Sequence, residues 1–348
     1  VTTPSTAFNT VLYEGNGTAV GSGGNAITGV GFQPDFVWIK NRDAADEHMI
    51  YDAVRGVTKD LNSDNDSAEA TDTEGLSTFD ADGFTVGSNV AVNTNAESYV
   101  AWCMKAGGSG SSNTDGSINS TVSVADHGGF SIVKWTSNSS PAAGDTVGHG
   151  LSRKPGFYVV KQLTDAGNSW VVYEDTNGAT NYLIMQATNA TAALTAMWND
   201  TEPTTSVFTL GSNGAVNTAS KDHVAYCFAR TPGLIGIGSF TANNNADGSY
   251  VVIDDGASGF RPAWVMWKRT DSTGDWVIAD AKRSPYNLSN DYLLASTPDF
   301  EQTALGWDFT ANGFKMRHTG GVNNGTIIYL AFAEFPFGGS GISQARAR

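Results

Sequence analysis

The sequence predicts an all-β chain of three tandem antiparallel β-sandwich repeats, jelly-roll or lectin-like in type. Three observations predict it. The chain is poor in charge, at 16%, and rich in Gly, with 40 residues. That composition suits turn-rich strands with neutral polar faces, whereas helices draw on Glu, Lys, Leu and Ala. One sequence pattern then occurs three times along the 348 residues. Finally, short apolar runs are separated by Asn-Gly at 16, 177, 213, 312 and 324 and by Asp-Gly at 82, 115, 247 and 255. Such dipeptides tolerate positive φ and favour tight hairpins.

The first landmark of the repeat is Gly31-Phe32-Gln33-Pro34-Asp35-Phe36-Val37-Trp38-Ile39-Lys40. It returns within 150–161, where Pro155 precedes Lys161, and within 259–268, where Pro262 precedes Lys268. Pro and Lys are six residues apart each time. Both alternating faces of Phe36–Ile39 and of Trp264–Trp267 are apolar, the pattern of a strand buried on both sides, and Pro is confined to the strand end because it has no N–H for the ladder. The second landmark is the strand ending in an acid: His48–Asp52, Trp170–Glu174 and Trp276–Asp280. The third is Phe84, Phe208 and Phe314, each followed 16 residues later by Val100-Ala101-Trp102, Val224-Ala225-Tyr226 and Leu330-Ala331-Phe332. Residues 187–198 carry the clearest helical composition, weakened by Thr.

Periods of 121 and 107 residues between the prolines exceed the roughly 20–50 of a solenoid repeat and match an independent β domain. The expected organisation is repeat one at 1–106, a Gly/Ser linker at 107–116, repeat two at 117–230, repeat three at 231–338 and a C-terminal tail at 339–348. The first loop of each repeat reads as variable in length: 24 residues from Phe8 to Phe32, 21 from Phe130 to Leu151, and 10 from Tyr250 to Phe260.

The net charge is −15, which disfavours nucleic acid and anionic lipid as partners. No run reaches the ~20 apolar residues of a membrane span, and no basic, apolar, small-residue leader opens the chain, so any export signal is expected to be absent or already removed. Cys103 and Cys227 occupy one position in two repeats, with Ala333 read as the third. Small buried thiols are expected there, not a bridge. The histidines His48, His127, His149, His223 and His318 form no HExxH pattern, and no zinc set exists. His48 aligns with Trp170 and Trp276, and His223 with Tyr99 and Tyr329, so both are expected to pack. Nucleophile elbow, Walker loop and dinucleotide fingerprint are absent. Asp52, Glu174 and Asp280 recur in register after a strand and read as turn acceptors. No catalytic, cofactor-binding or metal residue is assigned. Calcium is the one metal weighed, at Asp60, Asp64, Asp66, Glu69, Asp72 and Glu74 followed by Asp80 and Asp82, since loop carboxylates are hard-oxygen ligands. A solvated acidic loop explains these residues as well.

The Gly31–Lys40 pattern, the acid Asp52, Asp82-Gly83-Phe84-Thr85-Val86-Gly87, Tyr99-Val100-Ala101-Trp102-Cys103 and the closing Ala331–Phe337 together resemble a repeated, tail-fibre-like domain of virion proteins from tailed phages, common among those of marine bacteria. The resemblance covers nearly the whole chain. It implies a lectin-like sandwich on the phage particle surface and carries no catalytic motif. With no heptad shaft in view, a fibre tip, a head decoration or a collar component is expected.

The expected function is therefore non-enzymatic: a virion-surface protein binding other virion proteins, assembling as a homo-oligomer and presenting loops to a host surface glycan. The alternatives are a carbohydrate-active depolymerase and a secreted bacterial adhesin. Thr121–Val124 and Ile237–Phe240 read as extra strands before repeats two and three. Repeat one has only Val1–Ala7 there, broken by Pro4, so its sheet is expected to expose an edge. The tail, with Arg346 and Arg348, or the N-terminus is expected to dock on a neighbouring subunit.

Overall fold

The computed structural model describes residues 4–334, and the fold is all-β. Unit one runs β1 (Phe8–Glu14), β2 (Asn25–Thr28), β3 (Phe36–Asn41), β4 (Met49–Asp52), β5 (Lys59–Asp60), β6 (Ala70–Thr71), β7 (Leu76–Asp80), β8 (Gly83–Val86), α1 (Val90–Asn93) and β9 (Ser98–Met104). Unit two runs β10 (Ser111–Asn113), β11 (Ser120–Val124), β12 (Phe130–Thr136), β13 (Thr146–Gly148), β14 (Phe157–Gln162), β15 (Val171–Glu174), β16 (Asn181–Ile184), β17 (Ala192–Ala193), α2 (Thr195–Trp198), β18 (Val207–Thr209), α3 (Gly214–Asn217) and β19 (Asp222–Phe228). Unit three runs β20 (Ile235–Asn243), β21 (Tyr250–Val252), β22 (Pro262–Arg269), β23 (Trp276–Asp280), β24 (Tyr292–Leu294), β25 (Trp307–Thr310), β26 (Gly313–Met316) and β27 (Asn324–Ala333). No helix among the described residues is long and apolar enough to cross a membrane.

One antiparallel order occurs in all three units: β1-β9-β3-β4, β12-β19-β14-β15 and β20-β27-β22-β23. A smaller sheet accompanies each, β2-β8-β7, β13-β18 and β21-β26-β25. In unit one, Ile27, Leu76 and Phe84 of the small sheet share a core with Val37, Ile39 and Ala101 of the large one. Units two and three have their own such cores. Gly83 and Gly313 permit the close approach within the small sheets, because a Cβ there would lie 1.8 Å from the carbonyl oxygen of Ile27 or Val251.

The opposite faces of the three large sheets meet each other. Phe36, Trp38 and Trp102 of unit one, Phe157, Val159 and Tyr226 of unit two, and Trp264, Met266 and Leu330 of unit three belong to one shared apolar core. This accounts for strands apolar on both faces: every residue of β3 and β14 is buried. One face fills the unit's own core and the other fills the shared one. A wholly apolar void of about 30 Å³ remains where the three units converge. Nothing in its lining would hold a water molecule.

Backbone hydrogen bonds close the units into a ring. The N–H of Glu69 in unit one donates to Leu163 O in unit two at 2.9 Å, and Thr191 N to Thr270 O of unit three at 2.9 Å. Glu301 N of unit three returns to Arg42 O of unit one at 3.0 Å. The three acceptors each lie two residues beyond Lys161, Lys268 and Lys40.

The strand registers correct several expectations. Residues 107–116, read as a linker, include β10, which pairs with β11 at the edge of the unit-two sheet. Ile237–Phe240 is not an extra strand; it lies in β20, the counterpart of β1 and β12. Phe8, Phe130 and Ile235 stand opposite Met104, Phe228 and Phe332. The first loop of unit three therefore spans 25 residues, from Ile235 to Phe260, and the loops do not differ as expected. β27 is also displaced by two residues from the sequence alignment: Val37, Tyr158 and Val265 face Cys103, Cys227 and Ala331. Ala331, not Ala333, is thus the counterpart of the cysteines, and Ile327, not Tyr329, that of Tyr99 and His223. A slip of two keeps every side chain on its face, so the apolar pattern is blind to it. Of the helix weighed at 187–198, only Thr195–Trp198 is helical. Thr121–Val124 lies in β11, and β1 stands at the edge of its sheet among the described residues. The expected docking of the tail at 339–348, or of the extreme N-terminus, lies outside the described residues.

Candidate binding surface

The repeated charged residues lie at the junctions between units. Asp52 Oδ1 accepts from the backbone N–H groups of Val54 and Arg55 at 3.0 and 2.8 Å, and Asp280 Oδ1 from those of Lys282 and Arg283 at the same distances. Each is the acceptor of its own turn. The second oxygen of each accepts from the arginine three residues on, Arg55 Nε at 2.5 Å and Arg283 Nε at 2.6 Å. It also accepts from the neighbouring unit: Tyr226 Oη donates to Asp52 at 2.7 Å, and Trp102 Nε1 to Asp280 at 3.1 Å. Asp-x-x-Arg in units one and three was the sequence signal for these arginines, which the reading of the acids alone passed over.

Lys40, Lys161 and Lys268 are fully buried. Burial lowers each ammonium to about 8. Lys161 donates to Asp66 O at 3.2 Å and Lys268 to Thr188 O at 3.1 Å, both across a unit boundary. Lys40 instead donates to Asn41 O and Ala44 O within unit one.

Trp170 Nε1 donates to Asn62 O at 2.7 Å and Trp276 Nε1 to Ile184 O at 2.8 Å. His48 takes the same place between units one and three, with Nε2 2.9 Å from Leu294 O and Nδ1 accepting from Trp38 Nε1 at 2.8 Å. The acceptor role of Nδ1 puts the proton on Nε2. Burial holds this ring well below the usual histidine range and therefore neutral. It does more than pack: it replaces an indole donor. His149 accepts from Leu151 N and His127 from Gly129 N, each within a turn. His223 stacks on Trp135 at 5.2 Å. His318 Nδ1 donates to Gly306 O at 2.8 Å. Cys103 and Cys227 are free and buried in the cores of separate units, and burial pushes both thiols well up.

In the acidic loop of unit one, several carboxylates turn to internal donors, while Oδ1 of Asp60 is buried without one. Asp64 accepts from His48 N, Glu69 from Arg55, Asp72 from Asn89 Nδ2, and Glu74 from Val20 N and Ser88 N. Asp82 accepts from Gly29 N and Gly31 N. No group of three His, Cys, Asp or Glu among the described residues is arranged to hold a metal ion.

The outer side of unit three is different in kind. Val251 points inward opposite Phe314, so the alternation of β21 turns Tyr250 and Val252 outward, 53% and 48% exposed. The equivalent positions are Ala26 and Thr28 in unit one, which flank Ile27 opposite Phe84, and Thr146 and Gly148 in unit two, which flank Val147 opposite Phe208. Tyr250 Oη donates to Asn312 Oδ1. The loop beside β25 adds Tyr286 at 83% and Leu288 at 55% exposed. Asn287 fixes that loop: Phe309 N donates to its Oδ1 at 3.0 Å, and its Nδ2 to Phe309 O at 2.9 Å. A groove of about 260 Å³ lies elsewhere, between β1 and the β22–β23 side of unit three, lined by Phe8, Asn9, Thr10, Ala263, Ala281 and Lys282 among others. The sequence reading missed the outer face because it set Tyr250 at the start of the repeat.

A family model described as a domain of unknown function, DUF7483, matches residues 3–336. The chain belongs to the DUF7483 family. The match takes in all three units as one domain, in keeping with their shared core. No curated protein and no solved structure gives a significant match.

Proposed function

We propose that this DUF7483 chain is a non-enzymatic surface protein of a phage virion, of tail-fibre, receptor-binding or head-decoration type, made of three copies of one β unit. In this reading the outer face of unit three meets a host glycan or a neighbouring virion subunit. The observation that carries it is the set of exposed Tyr250, Val252, Tyr286 and Leu288 on the small sheet of unit three and its flanking loop. Large apolar side chains left in water mark interaction surfaces when they gather on one side of a molecule. The resemblance to tail-fibre-like virion domains supports the particle as its location. Of the recurring acids and lysines that chemistry would draw on, Asp52, Asp280, Lys161 and Lys268 are engaged in joining units.

Antibody labelling of purified phage particles encoding the chain tests this reading. Label on the tail or head is expected, with weaker adsorption or incorporation for a Tyr250→Ser/Tyr286→Ser double variant. Absence from particles, or cleavage of host polysaccharide by the purified chain, would overturn it.

A further inference from the structure

The junction between units two and three departs from the other two. Glu174 occupies the position of Asp52 and Asp280, opposite Phe157 as they are opposite Phe36 and Trp264. Three residues on, where the others have Arg55 and Arg283, stands Asn177. The neighbouring unit offers Leu330 where Tyr226 and Trp102 donate elsewhere, by the registers Met266 to Leu330, Val159 to Tyr226 and Trp38 to Trp102. Leucine has nothing to donate. Glu174 is 1% exposed; its Oε2 accepts from Thr176 Oγ1 at 2.7 Å and Asn177 N at 3.1 Å, and its Oε1 has no partner.

We propose that this junction is a proton-controlled contact, tight when the Glu174 carboxyl is protonated and loosened when it ionises. Arg230 is the nearby cation that attracts Glu174, but no guanidinium or ammonium is hydrogen-bonded to it. Asp175, the next residue along the chain, adds like charge. Arg230, from the connection between units, is committed to Asp175 and to Asp254, the latter at 3.0 Å. Tyr329 of β27 is neutral, raised by burial to about 12. Burial accordingly pushes Glu174 up to about 7, against hydrogen bonds that favour the anion.

The folded-state value lies above the ordinary glutamate value of about 4.3. Between the two, the folded chain holds a proton that the unfolded chain has lost. Stability from this group is therefore fully present below about pH 4.3, falls as pH rises, and is lost once pH passes the folded value. Buried histidines and lysines titrate in the same chain, so the test is a difference between variants.

The full chain, wild type and Glu174→Gln, is melted from about pH 5 to about pH 8, and the Glu174 side-chain carbon is followed by NMR. The carbon is expected to titrate with a midpoint near 7, and the melting temperature of E174Q is expected to gain on wild type as pH rises. Asn177→Arg supplies the missing guanidinium and is expected to move the midpoint below pH 5. This variant and the wild-type titration decide the matter even if E174Q does not fold. A wild-type midpoint in the ordinary glutamate range, a pH-independent difference between E174Q and wild type, or an N177R midpoint unchanged from wild type would overturn the proposal.

Discussion

The inner faces of the large sheets and the outward faces of the small sheets obey different rules. On the inner side, Trp170, Trp276 and His48 at equivalent positions each bond a carbonyl of the adjacent unit, and Glu69, Thr191 and Glu301 close the ring through backbone bonds. On the outer side, equivalent positions diverge, with Tyr250 and Val252 in one unit where another has Ala26 and Thr28. An inner side chain must fit two neighbours and a dry core. An outer one answers only to solvent or to a partner.

The sharpest way to break this comparison is at an inner charge. Arg55→Met leaves the Asp52 carboxylate buried without its cation. Removing one partner of a buried pair costs about 3–5 kcal/mol, so a large drop in denaturation midpoint is expected by urea titration. A change near zero would mean that the inner constellation does not hold the junction.

At the other extreme, Tyr250→Ser on the outer face is expected to shift stability by no more than about 0.5 kcal/mol, as exposed substitutions generally do. Thermal melting checks it. A large loss would show that this face is part of the folding core and not a free surface.

Much of the fold was legible in sequence. Pro34, Pro155 and Pro262 with their lysines mark the same strand in three units, and Cys103 and Cys227 are buried and unpaired as expected. The apolar runs also showed that both strand faces are buried, but a run cannot say what covers each face. The second cover is the other two units, which no local pattern encodes. The two-residue displacement of β27 arose because the alternation of strands is unchanged by a shift of two. Of the candidate surface, only Tyr250 was singled out in the sequence, as the landmark opening the first loop of repeat three. Its outward direction needed Phe314 as partner.

The central claim is that the three units share one core and form one closed ring instead of three independent beads. Calorimetry of the full chain tests it most directly. A shared core predicts one cooperative transition, with calorimetric and van't Hoff enthalpies equal. Two or three resolved transitions, or a van't Hoff enthalpy near one third of the calorimetric value, would contradict it.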